Sequence, residues 1–192
     1  MIKVIKQKRK TITIKIDEFN NITIKAPVFL SDKEVEDFIK SKEDWIEKHT
    51  KNNNFALEKY RGVLNKEKAL YFGKIINNYA DFKRDIMREA SVYLVQRTDY
   101  LSKLLNYNVK SVKIKNYKSR WGSIDRFGNV SLNYKLIMLD KSLIDYVIIH
   151  ELCHTVHFNH KKEFHALIKS LIKNETELRK DLKQFSFLNK IY

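Results

Sequence analysis

At 192 residues the chain is long enough for one buried core with a small appendage, and no run approaches the roughly 20 apolar residues of a membrane span. Its single cysteine, Cys153, excludes an internal disulfide and a cysteine-rich zinc finger. The formal net charge of +15 is spread along the whole chain, so it reads first as a lysine-laden surface and second as attraction for nucleic acid or a nucleic-acid-bound protein.

The opening MIKVIKQKRKTITIKI lacks the uninterrupted apolar stretch of a signal peptide, and a reducing cytoplasm is the expected compartment. Residues 2–16 alternate, with Ile12, Ile14 and Ile16 facing one way and Thr11, Thr13 and Lys15 the other, as in a half-buried strand. After a polar turn at Asp17–Asn21, Ile22–Ala26 reads as the second strand of a hairpin. Lys6, Lys8, Arg9 and Lys10 suit phosphate contact, but more commonly such lysines protect a strand edge. Pro27 ends the strand, and Ser31 with Glu34 three residues on forms a capping box. The helix that follows is expected to run to about His49, with Val35, Phe38, Ile39, Trp45 and Ile46 on its apolar side. Residues 50–54 are polar and connecting, and residues 55–77 show no clear period and stay unassigned.

From Tyr79 to about Leu105 the pattern is helical, with Phe82, Ile86, Ala90, Tyr93, Leu94 and Leu101 at helix spacing. Residues 109–116 alternate as a strand, residues 118–125 read as a loop containing Arg120, Trp121 and Gly122, and Phe127–Gly128 turns into a strand over residues 129–136. Without repeats or a Pro- or Gly-rich linker, the reading is α+β: an N-terminal hairpin-plus-helix region over 1–77 and a core over 78–192, expected to pack as one unit.

A helix capped by Asp140 or Ser142 then carries His150, Glu151 and His154, an H-E-x-x-H. Two histidines four residues apart share a helix face, so their imidazoles can converge on one metal ion. Glu151 lies about 100° round the helix, where its carboxylate can reach water at that metal. Leu143, Ile144, Val147, Ile148, Ile149, Leu152, Cys153 and Val156 surround the pair, and a helix apolar nearly all round is a buried one. Buried imidazoles and a buried carboxylate need a partner, which a metal supplies. For the third ligand His160 is favoured over His157, because a straight helix separates His157 from His150 by about 10 Å. A left-handed Asn159 is expected to turn the chain back toward the site. The strand 129–136 precedes the helix and is expected to offer a free edge to an extended peptide. Helices follow around Phe164, Leu167, Ile168 and Leu171, and from Glu175 to Leu188.

Several motifs in order, Arg120–Ser123 (RWGS), Leu132–Leu136 (LNYKL), Tyr146–His154 (YVIIHELCH), Asn159–His160 and Phe164–His165, resemble the YgjP-like metallopeptidases, distant relatives of the SprT-type zinc proteases. The N-terminal RKTITIKI and DWIEKH stretches resemble that family's opening. The chain departs from the family pattern at Ile124, where a cysteine is usual, and at His165, where a tryptophan is usual. The resemblance implies a zincin-like core, with the H-E-x-x-H helix beside a small mixed sheet. It also implies zinc held by His150, His154 and His160, and Glu151 as general base. The function expected is a zinc metallopeptidase, an endopeptidase acting on protein or peptide substrates. Arg120 and Tyr134 are candidate donors to the oxyanion, and His157 and His165 candidate supports of the ligands. The alternative is a nucleic-acid-associated module with a structural or vestigial metal site. Three histidines beside a glutamate suit the open, catalytic kind of site better. No membrane partner is expected, and oligomeric state is not legible.

Overall fold

In the computed structural model, residues 2–17, 20–50, 60, 68–77 and 79–191 are described, and the chain divides at Arg61/Gly62 into two units. That division falls before the pair of strands in 68–77, rather than between 77 and 78.

In the first unit, the alternating run 2–16 is two strands, not one. β1 (Ile2–Gln7) and β2 (Thr13–Ile16) flank β3 (Ile22–Pro27) on either side. Three consecutive cations, Lys8-Arg9-Lys10, interrupt the run, and β1 pairs parallel with β3 while β2 forms the expected antiparallel hairpin. Both outer strands bring an apolar residue to Ile24, Val4 on one side and Ile14 on the other. Ile22, Ile24, Ala26 and Val35 form the centre of this small core. The turn into β3 puts Asn20 at φ 60, a conformation asparagine tolerates, and Asp17 Oδ1 accepts from the Asn21 amide at 2.8 Å. α1 (Asp32–Lys40) begins at the expected capping box, the Ser31 amide donating to Glu34 Oε2 at 2.8 Å. The long helix expected to His49 breaks where Ser41 Oγ donates to the Phe38 carbonyl at 2.7 Å, and a second helix, α2, covers 43–50. Lys6 pairs with Asp32 at 2.7 Å, tying β1 to the start of α1.

The second unit opens with a hairpin, β4 (Lys68–Tyr71) and β5 (Lys74–Asn77), in the stretch without periodicity. Its two turn residues, Phe72 at φ 47 and Gly73 at φ 76, are both left-handed, the mirror turn that suits strand twist. Phenylalanine is a poor advertisement for that turn. It is held there because the amides of Phe72 and Gly73 donate to the carbonyls of Ile137 and Met138 at 2.8 and 3.1 Å. Its ring also meets Tyr93 edge-on at 4.7 Å.

α3 (Tyr79–Leu104) buries Ile86, Ala90, Leu94 and Leu101. The next sheet is mixed: β8 (Asn129–Asn133) is central, parallel to β6 (Ser111–Lys115) and antiparallel to β7 (Gly122–Ile124). The strand expected over 129–136 therefore ends early and offers no free edge. Asn133 accepts from the Lys135 amide at 3.3 Å and starts a 3-10 helix, Tyr134–Met138. The outer strands are β6 and β7, and β7, inside the expected loop, is the one that lines a cavity beside the histidines.

α4 (Lys141–Cys153) has Asp140 at its N-cap without a side-chain hydrogen bond, and Arg97 forks onto Asp145 with two 2.6 Å bonds that tie α3 to α4. α5 (Lys162–Leu171), α6 (Glu175–Gln184) and α7 (Leu188–Ile191) complete the chain. The single helix expected over 175–188 is broken because Phe185, Phe187 and Leu188 are all buried, which one straight helix face cannot achieve. The architecture is α+β with small mixed sheets, and no helix among the described residues is long and apolar enough to cross a membrane.

Candidate metal centre

The last turn of α4 projects His150 and Glu151, and His154 caps it with φ −68° and ψ −14°. The chain then coils onward through bonds from the Thr155 amide to the Leu152 carbonyl and from the His157 amide to the Cys153 carbonyl, each 3.0 Å. Asn159 is not among the left-handed residues, contrary to expectation; its side-chain oxygen instead accepts from the Lys161 amide at 3.2 Å. This tight exit is sufficient to bring His160 back over the end of α4.

One nitrogen from each of His150, His154 and His160 lies within 4.8 Å of the others. His150 Nε2 and His160 Nε2 are 3.0 Å apart. Two nitrogens bound at about 2.05 Å to a tetrahedral zinc stand about 3.3 Å apart, so the His150–His160 spacing and the donor chemistry of the three imidazoles fit that ion. His154 Nδ1 is 3.0 Å from the His157 carbonyl, which can only accept; Nδ1 therefore carries the proton and Nε2 keeps its lone pair for a metal. His157 thus serves through its backbone and is not in the cluster. Burial, reinforced by His154, His160 and His165, pushes the His150 imidazolium down to about 3, and burial lowers His160 as well. Neutral imidazoles are the metal-binding form.

Under the three rings sits Phe164 of α5, 1 % exposed. It stacks on His154 at 4.5 Å and meets His150 and His160 edge-on, each at 4.9 Å. Sequence reading placed Phe164 in an apolar stripe and in the Phe164–His165 motif, without a role at the ligands. Its position four residues after His160 was the signal that it faces them.

Glu151 is 8 % exposed, and burial pushes its carboxyl up to about 7 while the Arg120 guanidinium pulls the other way. A Cβ on Gly122 would stand 2.9 Å from Glu151 Cγ and 3.0 Å from Oε1. The glycine of the RWGS stretch therefore leaves the space in which this carboxylate lies, a role no sequence pattern revealed.

Arg120 is exposed, with its guanidinium 5.1 Å from the centre of the Tyr117 ring. It lines both cavities beside the histidines, about 450 and 490 Å³ in volume. Tyr134 is different: half-buried in the 3-10 helix, 5.7 Å from the Lys135 ammonium, it lines neither cavity. The loop carrying Arg120 is pinned by Asn133, whose amide nitrogen donates to the carbonyls of Tyr117 and Arg120 at 2.9 and 3.1 Å and to Asn189 Oδ1 at 2.8 Å. Lys135, fully buried, donates to the Asn189 carbonyl at 2.8 Å, and burial lowers its ammonium pKa. His165 stands 6.4 Å from the His160 ring.

The model of the YgjP-like metallopeptidase domain matches residues 10–78 and 76–185, most of the chain. The chain belongs to the YgjP-like metallopeptidase family. No curated protein matches this YgjP-like sequence. Among solved structures it is similar to the metallopeptidase zymogen abylysin of Pyrococcus abyssi, 18% identical over 50% of this chain and 96% of that one, with a TM-score of 0.43. It is also similar to the metallopeptidase zymogen jannalysin of Methanocaldococcus jannaschii, 25% identical over 55% of this chain and 95% of that one, with a TM-score of 0.36.

Proposed function

We propose that this YgjP-like protein is a zinc-dependent endopeptidase in which His150, His154 and His160 hold the ion and Glu151 is the general base. The observation that carries the reading is a cluster of three imidazole donors beside a buried carboxylate. Bound zinc supplies Lewis acidity, which lowers the pKa of water and polarises a carbonyl. Glu151 then accepts the proton of the attacking water and returns it to the leaving amine. Arg120, exposed beside the carboxylate, donates to the developing oxyanion. Tyr134 has no part in this scheme.

The substrate backbone adds to the free edge of β7, which borders the site through Gly122, Ser123 and Ile124. Cleavage within a chain, rather than at an end, is supported by the two cavities. Both include His150, Glu151 and His160, and they diverge from there, one toward α6 and the other toward Phe158.

The test is Glu151→Gln. It should keep a full equivalent of zinc and lose proteolysis, read as the disappearance of new protein N-termini that the wild type generates in cell extract. A variant that cleaves as well as the wild type refutes the assignment. Steeply salt-dependent DNA binding that survives chelation, without any cleavage, would favour a nucleic-acid-binding module instead.

A further inference from the structure

The cavity of about 450 Å³ runs from His150 and Glu151 to α6. Trp121, Val147 and Leu182 give it apolar walls, and Arg120, Arg179 and Lys183 give it three cations from two distant parts of the chain. Arg179 and Lys183 are four residues apart on α6 and therefore share a face, where like charges repel. Arg120 is added to them from the loop before β7. Among the described residues the only acidic one lining the cavity is Glu151, already 8 % exposed beside the histidines.

Internal pairing neutralises only one member of this cluster: Arg179 Nε reaches Glu175 Oε1 at 3.5 Å, a carboxylate 1 % exposed that also accepts from the Tyr146 hydroxyl at 3.4 Å. Among the described residues neither Arg120 nor Lys183 forms an ion pair. Converging cations beside an apolar wall are complementary to an anion on a short aliphatic stem.

We propose that this cavity is a specificity subsite for an acidic substrate side chain, glutamate ahead of aspartate, on a residue flanking the scissile bond. The carboxylate meets Lys183, with Arg120 adding to the positive potential of the cavity, and the two methylenes of glutamate cover Trp121 and Leu182. The inference rests on the peptidase reading, because it takes the scissile bond to lie at the histidines. It goes beyond the overall charge of +15, which would attract acidic peptides wherever their carboxylates lie.

The experiment uses the zinc-loaded full chain and peptides that differ only by Glu or Gln at one position. A Glu flanking the cleaved bond should raise kcat/KM about tenfold over Gln, and a Glu several residues away by about twofold at most. Lys183→Gln should shrink the ratio, and Lys183→Glu should turn it toward peptides carrying Lys. Lys183 is exposed, so neither change threatens folding. The same peptides, titrated by fluorescence anisotropy against Glu151→Gln, report binding without turnover and should show the same preference.

Cleavage that is indifferent to Glu or Gln overturns the subsite and leaves the peptidase reading standing. Equal gains from Glu at every position overturn it too, in favour of overall charge. Glu-selective, Lys183-dependent binding with no cleavage of any peptide supports the cationic pocket and refutes the peptidase reading.

Discussion

Replacing Gly122 by alanine is a sharp probe of the site, because it adds one methyl group and touches no proposed metal ligand. The new Cβ would lie 2.9 Å from Glu151 Cγ, 3.1 Å from Cδ and 3.0 Å from Oε1. Carbon atoms pack best at about 3.5–4.0 Å, so either the carboxylate or β7 must retreat by about 0.5–1 Å. Displacing a catalytic group by about 1 Å costs on the order of a hundredfold in rate. The stability cost is smaller. Overpacking strain of about 1–3 kcal/mol is partly offset by the reduced freedom of the unfolded chain when glycine becomes alanine, about 0.4–1 kcal/mol. The expected result is kcat/KM down about a hundredfold at unchanged zinc stoichiometry, with a small fall in Tm. In a Glu151→Ala background the same substitution should have little further effect on either quantity, since its neighbour is gone. Wild-type kcat/KM in zinc-loaded Gly122→Ala would refute the argument that this glycine exists to house Glu151.

Three further outcomes follow from the same geometry. Phe164→Ala, which removes the ring under all three histidines, should cost about 3–5 kcal/mol in urea melts and weaken zinc binding in a competition titration; Phe164→Leu should cost less on both counts. Asn133→Leu leaves the Tyr117 and Arg120 carbonyls and Asn189 without their donor, so it should lose about 2 kcal/mol or more of stability and lower kcat more than it alters zinc affinity. Chelation should abolish cleavage and lower Tm. Zinc at about a hundredfold over its Kd should restore about 2.7 kcal/mol of stability, and His160→Ala should greatly reduce that zinc-dependent rise.

Local chemistry was enough to read several elements. The capping box at Ser31 and Glu34, the apolar period of α3 and the buried character of α4 all depend on neighbours within a turn or two. The pairing of His150 with His154 is of the same kind, since helix geometry alone puts residues four apart on one face. Breaks within helices escaped because their causes lie elsewhere. The one at Ser41 is a side chain bonding its own backbone, and the one after Gln184 comes from three nearby residues each finding a buried place.

What depended on tertiary structure was every relation between residues far apart in the chain. A single alternating run gave no hint that β1 would cross to the far side of β3, nor did the strand before α4 reveal that both its edges are taken. Phe72 adopts its left-handed turn because distant carbonyls, those of Ile137 and Met138, await the amides. The need for glycine at 122 is set by a carboxylate twenty-nine residues later, and the ring beneath the ligands belongs to the following helix. Periodicity reports which face of an element is apolar; it carries no information on what that face meets, because that depends on the packing of the whole second unit.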